Sequence, residues 1–226
     1  RPPVANVDQA VIVMACNEPP PDLELLDRIL VAVTADSLDI VICFNKIDLV
    51  SRYAADKIAK PYRNAGYKTI KASARAGWGM TRLRKALSGK LSVFAGPSGV
   101  GKSALLNALE PGLRLETGEV SARTGRGRHT TRHAHLLKIE PAGYVADTPG
   151  FSKLDLDGID SRSLGHLFPE FRIPMQYCKF TTCLHHKEPE CGVKKAVDTG
   201  NIEEFRYSHY VKLLLEIAER ERRRGR

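Results

Sequence analysis

The sequence lacks any apolar run near the roughly 20 residues that a bilayer crossing requires. It also lacks a basic head followed by an apolar signal segment, so no membrane is expected as a partner and the expected compartment is the cytoplasm. Cysteine is sparse and odd in number: five residues cannot close a complete disulfide framework. Acidic charge is in deficit, with 26 Asp and Glu against 35 Lys and Arg, for a net charge of +9. Such a balance favours an anionic partner, of which nucleic acid is the commonest, over the alternative of basicity with no partner. No internal repeat is present, which excludes solenoids. The chain opens on Arg1 rather than Met, and a fragment or processed form of a longer protein is expected.

What is present is enough for a core. With 226 residues and 42% hydrophobic content, one or two domains are expected. Short apolar runs rich in Val and Ile occupy 11–16, 39–45, 91–95 and 143–147, separated by segments of helical period at 23–33 and 103–109. Strand and helix in alternation predict an α/β fold, a mostly parallel sheet with helices on both faces and ligands at the carboxyl ends of the strands. Cys16 and Cys43 lie inside these runs and are expected as buried free thiols. Between 113 and 134 the periodicity gives way to Gly, Thr, Arg and His, the composition of a long functional loop. Past about 153 the alternation stops, Cys and His cluster, and a charged helix at about 202–224 closes the chain. The expected division is a domain over 1–153 and a small, mainly helical one over 154–226.

A strand at 93–95 leads into Gly96-Pro97-Ser98-Gly99-Val100-Gly101-Lys102-Ser103 and then an apolar helix, the context a phosphate-binding P-loop requires. Its backbone N–H groups face phosphate oxygens at a helix N-terminus, Lys102 reaches the β and γ phosphates, and the Ser103 hydroxyl ligates magnesium. Asn45-Lys46-Ile47-Asp48 ends another strand. The Asp48 carboxylate can accept from guanine N1–H and N2–H₂, a donor pair adenine does not offer, which points to GTP or GDP rather than ATP. Lys46 can lie along the base plane, and Asn45 can tie this loop to the P-loop. Ser73 and Ala74 match the short Ser-Ala loop that completes a guanine pocket. Asp147-Thr148-Pro149-Gly150 follows a third strand about 45 residues past the P-loop, where a nucleotide switch belongs; Asp147 suits the outer shell of magnesium and the Gly150 N–H suits the γ-phosphate.

Cys178-x₄-Cys183-x-His185-x₅-Cys191 offers three thiolates and an imidazole, a Cys₃His set that suits one structural zinc ion with no open position for catalysis; His186 stands beside it as a competitor for the fourth place. The base-reading loops precede the phosphate loop, the reverse of the order in Ras-like GTPases. With Val4-Ala5-Asn6-Val7-Asp8-Gln9, Gly127-Arg128-His129-Thr130-Thr131, Asp147-Thr148-Pro149-Gly150-Phe151 and the metal spacing, the sequence resembles the circularly permuted GTPases of small-ribosomal-subunit biogenesis, the RsgA or YjeQ family, over nearly its whole length.

The resemblance implies a P-loop GTPase fold, GTP hydrolysis stimulated by the small ribosomal subunit, contact with that subunit's rRNA, a monomer, and His185 as the fourth metal ligand. Members usually carry an N-terminal OB-fold, and this chain starts where that domain should end. The loop at 125–132 is placed like the switch whose threonine completes the magnesium shell, Thr130 or Thr131 here. Phe151 stands where Ras-like enzymes have the water-orienting glutamine, which leaves His129 to position water or, alternatively, to contact RNA. Basic residues beside the metal site (Lys187, Lys194, Lys195), in the switch loop (Arg123, Arg126, Arg128, Arg132) and in the tail from Arg220 onward are candidates for phosphate contact, against the alternative of a solvated surface. A GTP-gated binding module with negligible hydrolysis is the competing function.

Overall fold

The computed structural model describes residues 6–113, 115, 135–147 and 156–224. Gln9–Ala15 (β1) is buried at every position, as a central parallel strand covered on both faces must be. It pairs in parallel with Asp39–Asn45 (β2) on one side and Leu91–Ala95 (β4) on the other; Lys68–Lys71 (β3) adds beyond β2 and Gly143–Asp147 (β6) beyond β4. The sheet closes with His135–Ile139 (β5), antiparallel to β6, giving the order β3-β2-β1-β4-β6-β5.

Side chains alternate across β1. Ala10, Ile12 and Met14 face one core with Leu26, Ile29 and Leu30 of helix Leu23–Ala35 (α1) and Ala59 and Tyr62 of helix Arg52–Asn64 (α2). Val11, Val13 and Ala15 face the other, with Leu83 and Leu87 of Met80–Leu87 (α3) and Leu105 and Leu109 of Lys102–Leu109 (α4). Asp22 and Ser51 start α1 and α2 by accepting from the backbone N–H of Leu25 (2.9 Å) and Ala54 (3.1 Å). Cys16 and Cys43 are buried and free, and burial pushes their thiols up to about 11 and about 12.

Residues 156–224 fold as short 3₁₀ turns, a helix over Gly192–Asp198 (α5) and the long helix Glu204–Arg224 (α6) around a third core that includes Phe168, Phe171, Tyr210 and Leu213. Val31 of α1 belongs to that core too. The seam with α1 is ionic as well as apolar. Arg206, buried, donates to Asp27 (2.5 Å) and to Glu170 (2.7 Å), and His209 Nδ1 lies 2.6 Å from the other Asp27 oxygen. Burial alone would lower the Arg206 pKa, but the Asp27 and Glu170 carboxylates raise it well above its ordinary value. Exposed pairs Arg28–Glu216 and Lys212–Glu24 flank this centre. Among the described residues no helix is long and apolar enough to cross a membrane.

Candidate nucleotide site and metal centre

The topology delivers the motifs to one edge. β2, β3, β4 and β6 run parallel, so the segments that follow them, including 45–48, 72–74 and 96–103, emerge at the same end of the sheet, and Asp147 ends β6 beside β4. A cavity of about 380 Å³ lined by Gln9, Asp39 and Lys68 lies at the opposite end, where strands begin, and contains none of these motifs.

Gly96 leaves β4 at φ 138° with its backbone against Val13; a Cβ there would fall 2.1 Å from the Val13 carbonyl oxygen. Gly101, at φ 92° before α4, leaves room for the Asn45 amide, which a Cβ would meet at 2.4 Å. Val100 is buried; Ser98 and Gly99 are exposed at the tip of the loop, and Pro97 is half-buried. The Lys102 ammonium turns back into the loop and donates to the carbonyls of Gly96 and Pro97, both at 2.8 Å. Burial lowers its pKa. Ser103 occupies the first turn of α4, half-buried. The arrangement offers a cationic amine and free N–H groups at a helix N-terminus, which is an anion site for a polyphosphate.

Asn45 knits three loops together. Buried at the end of β2, it donates from Nδ2 to the Val100 carbonyl (2.8 Å) and accepts at Oδ1 from the Ala74 N–H (3.2 Å). The Ser73-Ala74 loop is in turn pinned by the Ile47 N–H to the Ala72 carbonyl (3.2 Å), by Ala76 N–H to the buried Ser73 hydroxyl (3.0 Å), and by the Ser73 N–H to the Trp78 carbonyl (2.9 Å). Lys46 sits in the left-handed region at φ 58°, and half-buried Asp48 rides on the single 3₁₀ turn Ile47–Leu49 that follows. The structure thus brings Asn45, Lys46, Asp48, Ser73 and Ala74 to the same edge as the 96–103 loop, bonded through Asn45. The roles of Val100 as acceptor and Ala76 as donor carry no side-chain signature and are invisible to motif reading. His129, Thr130, Thr131, Gly150 and Phe151, and the arginines of 123–132, lie outside the described residues.

The second cluster is built on the C-terminal turns. The ligand atoms of Cys178, Cys183, His185 and Cys191 lie within 4.8 Å of one another. The Cys178 and Cys191 sulfurs are 3.8 Å apart, and each is 3.4 Å from His185 Nδ1. Tetrahedral zinc, with Zn–S about 2.3 Å and Zn–N about 2.1 Å, needs edges of about 3.8 Å for S···S and about 3.6 Å for S···N. The donor set fits. Burial raises the Cys183 thiol to about 12 and the Cys191 thiol upward, and lowers His185, so these donors are held uncharged in a space that a divalent cation would stabilise. His186 is not in the cluster. Behind it, residues that spacing does not reveal hold the loop: Glu188 accepts from the N–H groups of Leu184 (2.8 Å) and His186 (3.0 Å). Tyr207 and Tyr210 of α6 donate to the carbonyls of His185 and Leu184, both at 2.8 Å. Two tyrosines three apart on one helix face are the signal that could have found them.

These loops, in this order along the chain, match a known pattern. A family model described as RsgA GTPase matches residues 1–157. The chain belongs to the RsgA GTPase family. The small ribosomal subunit biogenesis GTPase RsgA of Moorella thermoacetica is 50% identical over 222 residues, 98% of this chain and 76% of that relative. Its counterpart in Geobacillus kaustophilus is 48% identical over 226 residues, covering 99% and 77%. Among solved structures, YjeQ from Thermotoga maritima superposes with a TM-score of 0.81 at 40% identity, over 95% of this chain and 73% of that one. YloQ, described as a circularly permuted GTPase, gives 0.80 at 40% identity, over 97% and 71%. As an RsgA-family member the chain binds guanine nucleotide, and the mixed α/β sheet with permuted loop order is the family's fold.

The basic surface is partly spoken for. Arg220 and Arg224 bond to Asp157 at 3.5 and 2.9 Å, and Arg222 and Arg223 to Glu219 at 2.8 and 3.1 Å. Lys187 is exposed beside the metal cluster, where Tyr177 and Phe180 are also exposed.

Proposed function

We propose that this chain is a GTP hydrolase of small-ribosomal-subunit biogenesis, made of a circularly permuted GTPase domain over 1–153 and a zinc-binding domain over 154–226. The bridge from Asn45 to both Val100 and Ala74 supports this most directly, because it joins a base-reading loop to a phosphate loop in one rigid edge. Asp48 accepts from guanine, Lys46 lies along the base, and Ser73 and Ala74 close the pocket. The N–H groups of 96–103 and the Lys102 ammonium hold the phosphates. Magnesium, when bound, neutralises charge that builds on the β and γ oxygens. Ser103 and Thr130 or Thr131 would hold it, with Asp147 behind, while the Gly150 N–H holds the γ-phosphate and His129 orients water. Cys178, Cys183, His185 and Cys191 hold one structural zinc. The partner is the small ribosomal subunit with its rRNA, approached by a cytoplasmic monomer whose net charge of +9 favours that contact.

Phe151 in place of a water-orienting glutamine supports the second reading, a GTP-gated binding module with negligible hydrolysis. Both require guanine selectivity. Thermal stabilisation by GDP and GTP but not by ADP and ATP, with one zinc per chain by elemental analysis, is expected; equal stabilisation by adenine nucleotides would refute the guanine pocket.

A further inference from the structure

β1 lies between β2 and β4, so the segment that leaves its C-terminal end emerges between the base-reading and phosphate loops. No nucleotide motif marks this β1–α1 segment, yet it is bonded to both neighbours. The Cys16 N–H donates to the Asn45 carbonyl at 2.9 Å. The Lys46 ammonium donates to the Glu18 main-chain carbonyl. On the other side, Pro19 Cδ lies 3.6 Å from where a Cβ on Gly99 would sit, so the ring rests against the tip of the P-loop. The Lys46 stem passes the start of α4, its Cε 3.9 Å from the corresponding point on Gly101.

Two non-glycine residues here hold left-handed backbone, Glu18 at φ 51° and Lys46 at φ 58°. Such conformations are unfavourable and persist where surrounding contacts demand them, often at ligand sites. The Asn17 carboxamide oxygen accepts the Glu18 N–H at 3.0 Å and stabilises that turn, which aims the Glu18 carbonyl at Lys46. The Glu18 side chain is exposed and takes no part.

We infer that the β1–α1 loop is a positioning element of the nucleotide site: the Glu18 carbonyl anchors the Lys46 ammonium, and the lysine stem becomes a fixed platform for the nucleoside before it arrives. This rests on the guanine role proposed for 45–48. A free lysine loses considerable rotamer freedom when it is fixed against a ligand. With the ammonium already bonded and the loop braced on the P-loop by Pro19, less of that loss falls on the binding step. The element works through Lys46 and on the nucleoside side, so it should serve GDP and GTP alike.

The test is a double-mutant cycle on the full chain, read as the Kd for GDP and for GTP, with melting temperature measured for every variant. Lys46→Met, which keeps the stem and removes the ammonium, should raise Kd about tenfold, because the unanchored stem must then be ordered at the binding step. Pro19→Gly, at an exposed position, should raise it several-fold, equally for both nucleotides. In combination the two should lose no more than Lys46→Met alone, because the loop acts through that ammonium. Losses that multiply, or a Pro19→Gly Kd equal to that of the wild type, would overturn the inference. Asp48→Ala separates the two levels: if it too leaves Kd unchanged, the guanine reading itself fails, whereas a large loss there beside an inert Pro19→Gly condemns the loop proposal alone.

Discussion

Asn45→Ala removes a side chain that bonds the base loop to the phosphate loop. Asn45 is 1% exposed, and its amide satisfies the carbonyl of Val100, itself 0% exposed, and the N–H of half-buried Ala74. A backbone group stranded without a partner costs about 1–3 kcal/mol, with Val100 toward the upper end and Ala74, which water can reach, toward the lower. The sum is about 2–4 kcal/mol, which for a chain of this size lowers the melting temperature by about 5–15 °C. Part of that is relieved in the free protein if the loops part and admit water. Nucleotide binding must close them again, so the GDP Kd should rise about tenfold for each 1.4 kcal/mol so relieved. Asn45→Asp keeps the size but turns a carboxylate oxygen toward the Val100 carbonyl, and should be at least as damaging. Differential scanning calorimetry with and without GDP, and titration with a fluorescent GDP analogue, give both numbers. A melting temperature within about 1 °C of wild type together with an unchanged Kd would refute the idea that this residue couples the loops.

Asp48→Asn should weaken GDP by more than about a hundredfold, the loss of two charge-assisted hydrogen bonds, and improve xanthosine diphosphate, whose C2 carbonyl can accept from the new amide; competition binding with both nucleotides checks this. Zinc removal by a chelator should abolish ordered structure over the Cys178–Cys191 loop and loosen α5 and α6, while GDP still binds, since the sheet and α1 to α4 have cores of their own; circular dichroism with parallel GDP titration reads both, and loss of GDP binding would contradict a two-domain division. Asp27→Ala leaves the Arg206 guanidinium buried with Glu170 alone and should destabilise by about 3–5 kcal/mol in urea unfolding, whereas a loss under about 1 kcal/mol would mean that water already reaches the pair.

Much of this molecule is legible in its sequence because its strands are covered on both sides. β1 and β2 stand out as apolar runs rich in Val and Ile, and β4 as a shorter apolar run, since both faces of each are covered. β5 is not legible in that way: it is an edge strand, Leu136 is exposed, and its pairing to β6 depends on a turn that periodicity does not report. The metal cluster can be read from spacing because four donors fall within a short stretch. What holds it cannot, since Tyr207 and Tyr210 look like ordinary core residues of an amphipathic helix. The seam between α1 and α6 is the least legible part. Asp27 and Arg206 are 179 residues apart, and an arginine or aspartate on a helix reads as solvated until a partner 2.5 Å away shows that it is buried. The charged tail shows the converse, for the arginines at 220, 222, 223 and 224 that could have faced phosphate have carboxylate neighbours of their own.

Hydrolysis in the presence of its proposed activator is the most direct measurement. GTP turnover by the full-length protein should be slow alone and rise by orders of magnitude on addition of small ribosomal subunits, in the range of about 10³-fold that other trans-activated GTPases reach, and Asp147→Ala should abolish both rates. Unchanged turnover with subunits present, in a protein that still binds GTP tightly, would contradict a ribosome-triggered GTPase and leave the nucleotide-gated binding module.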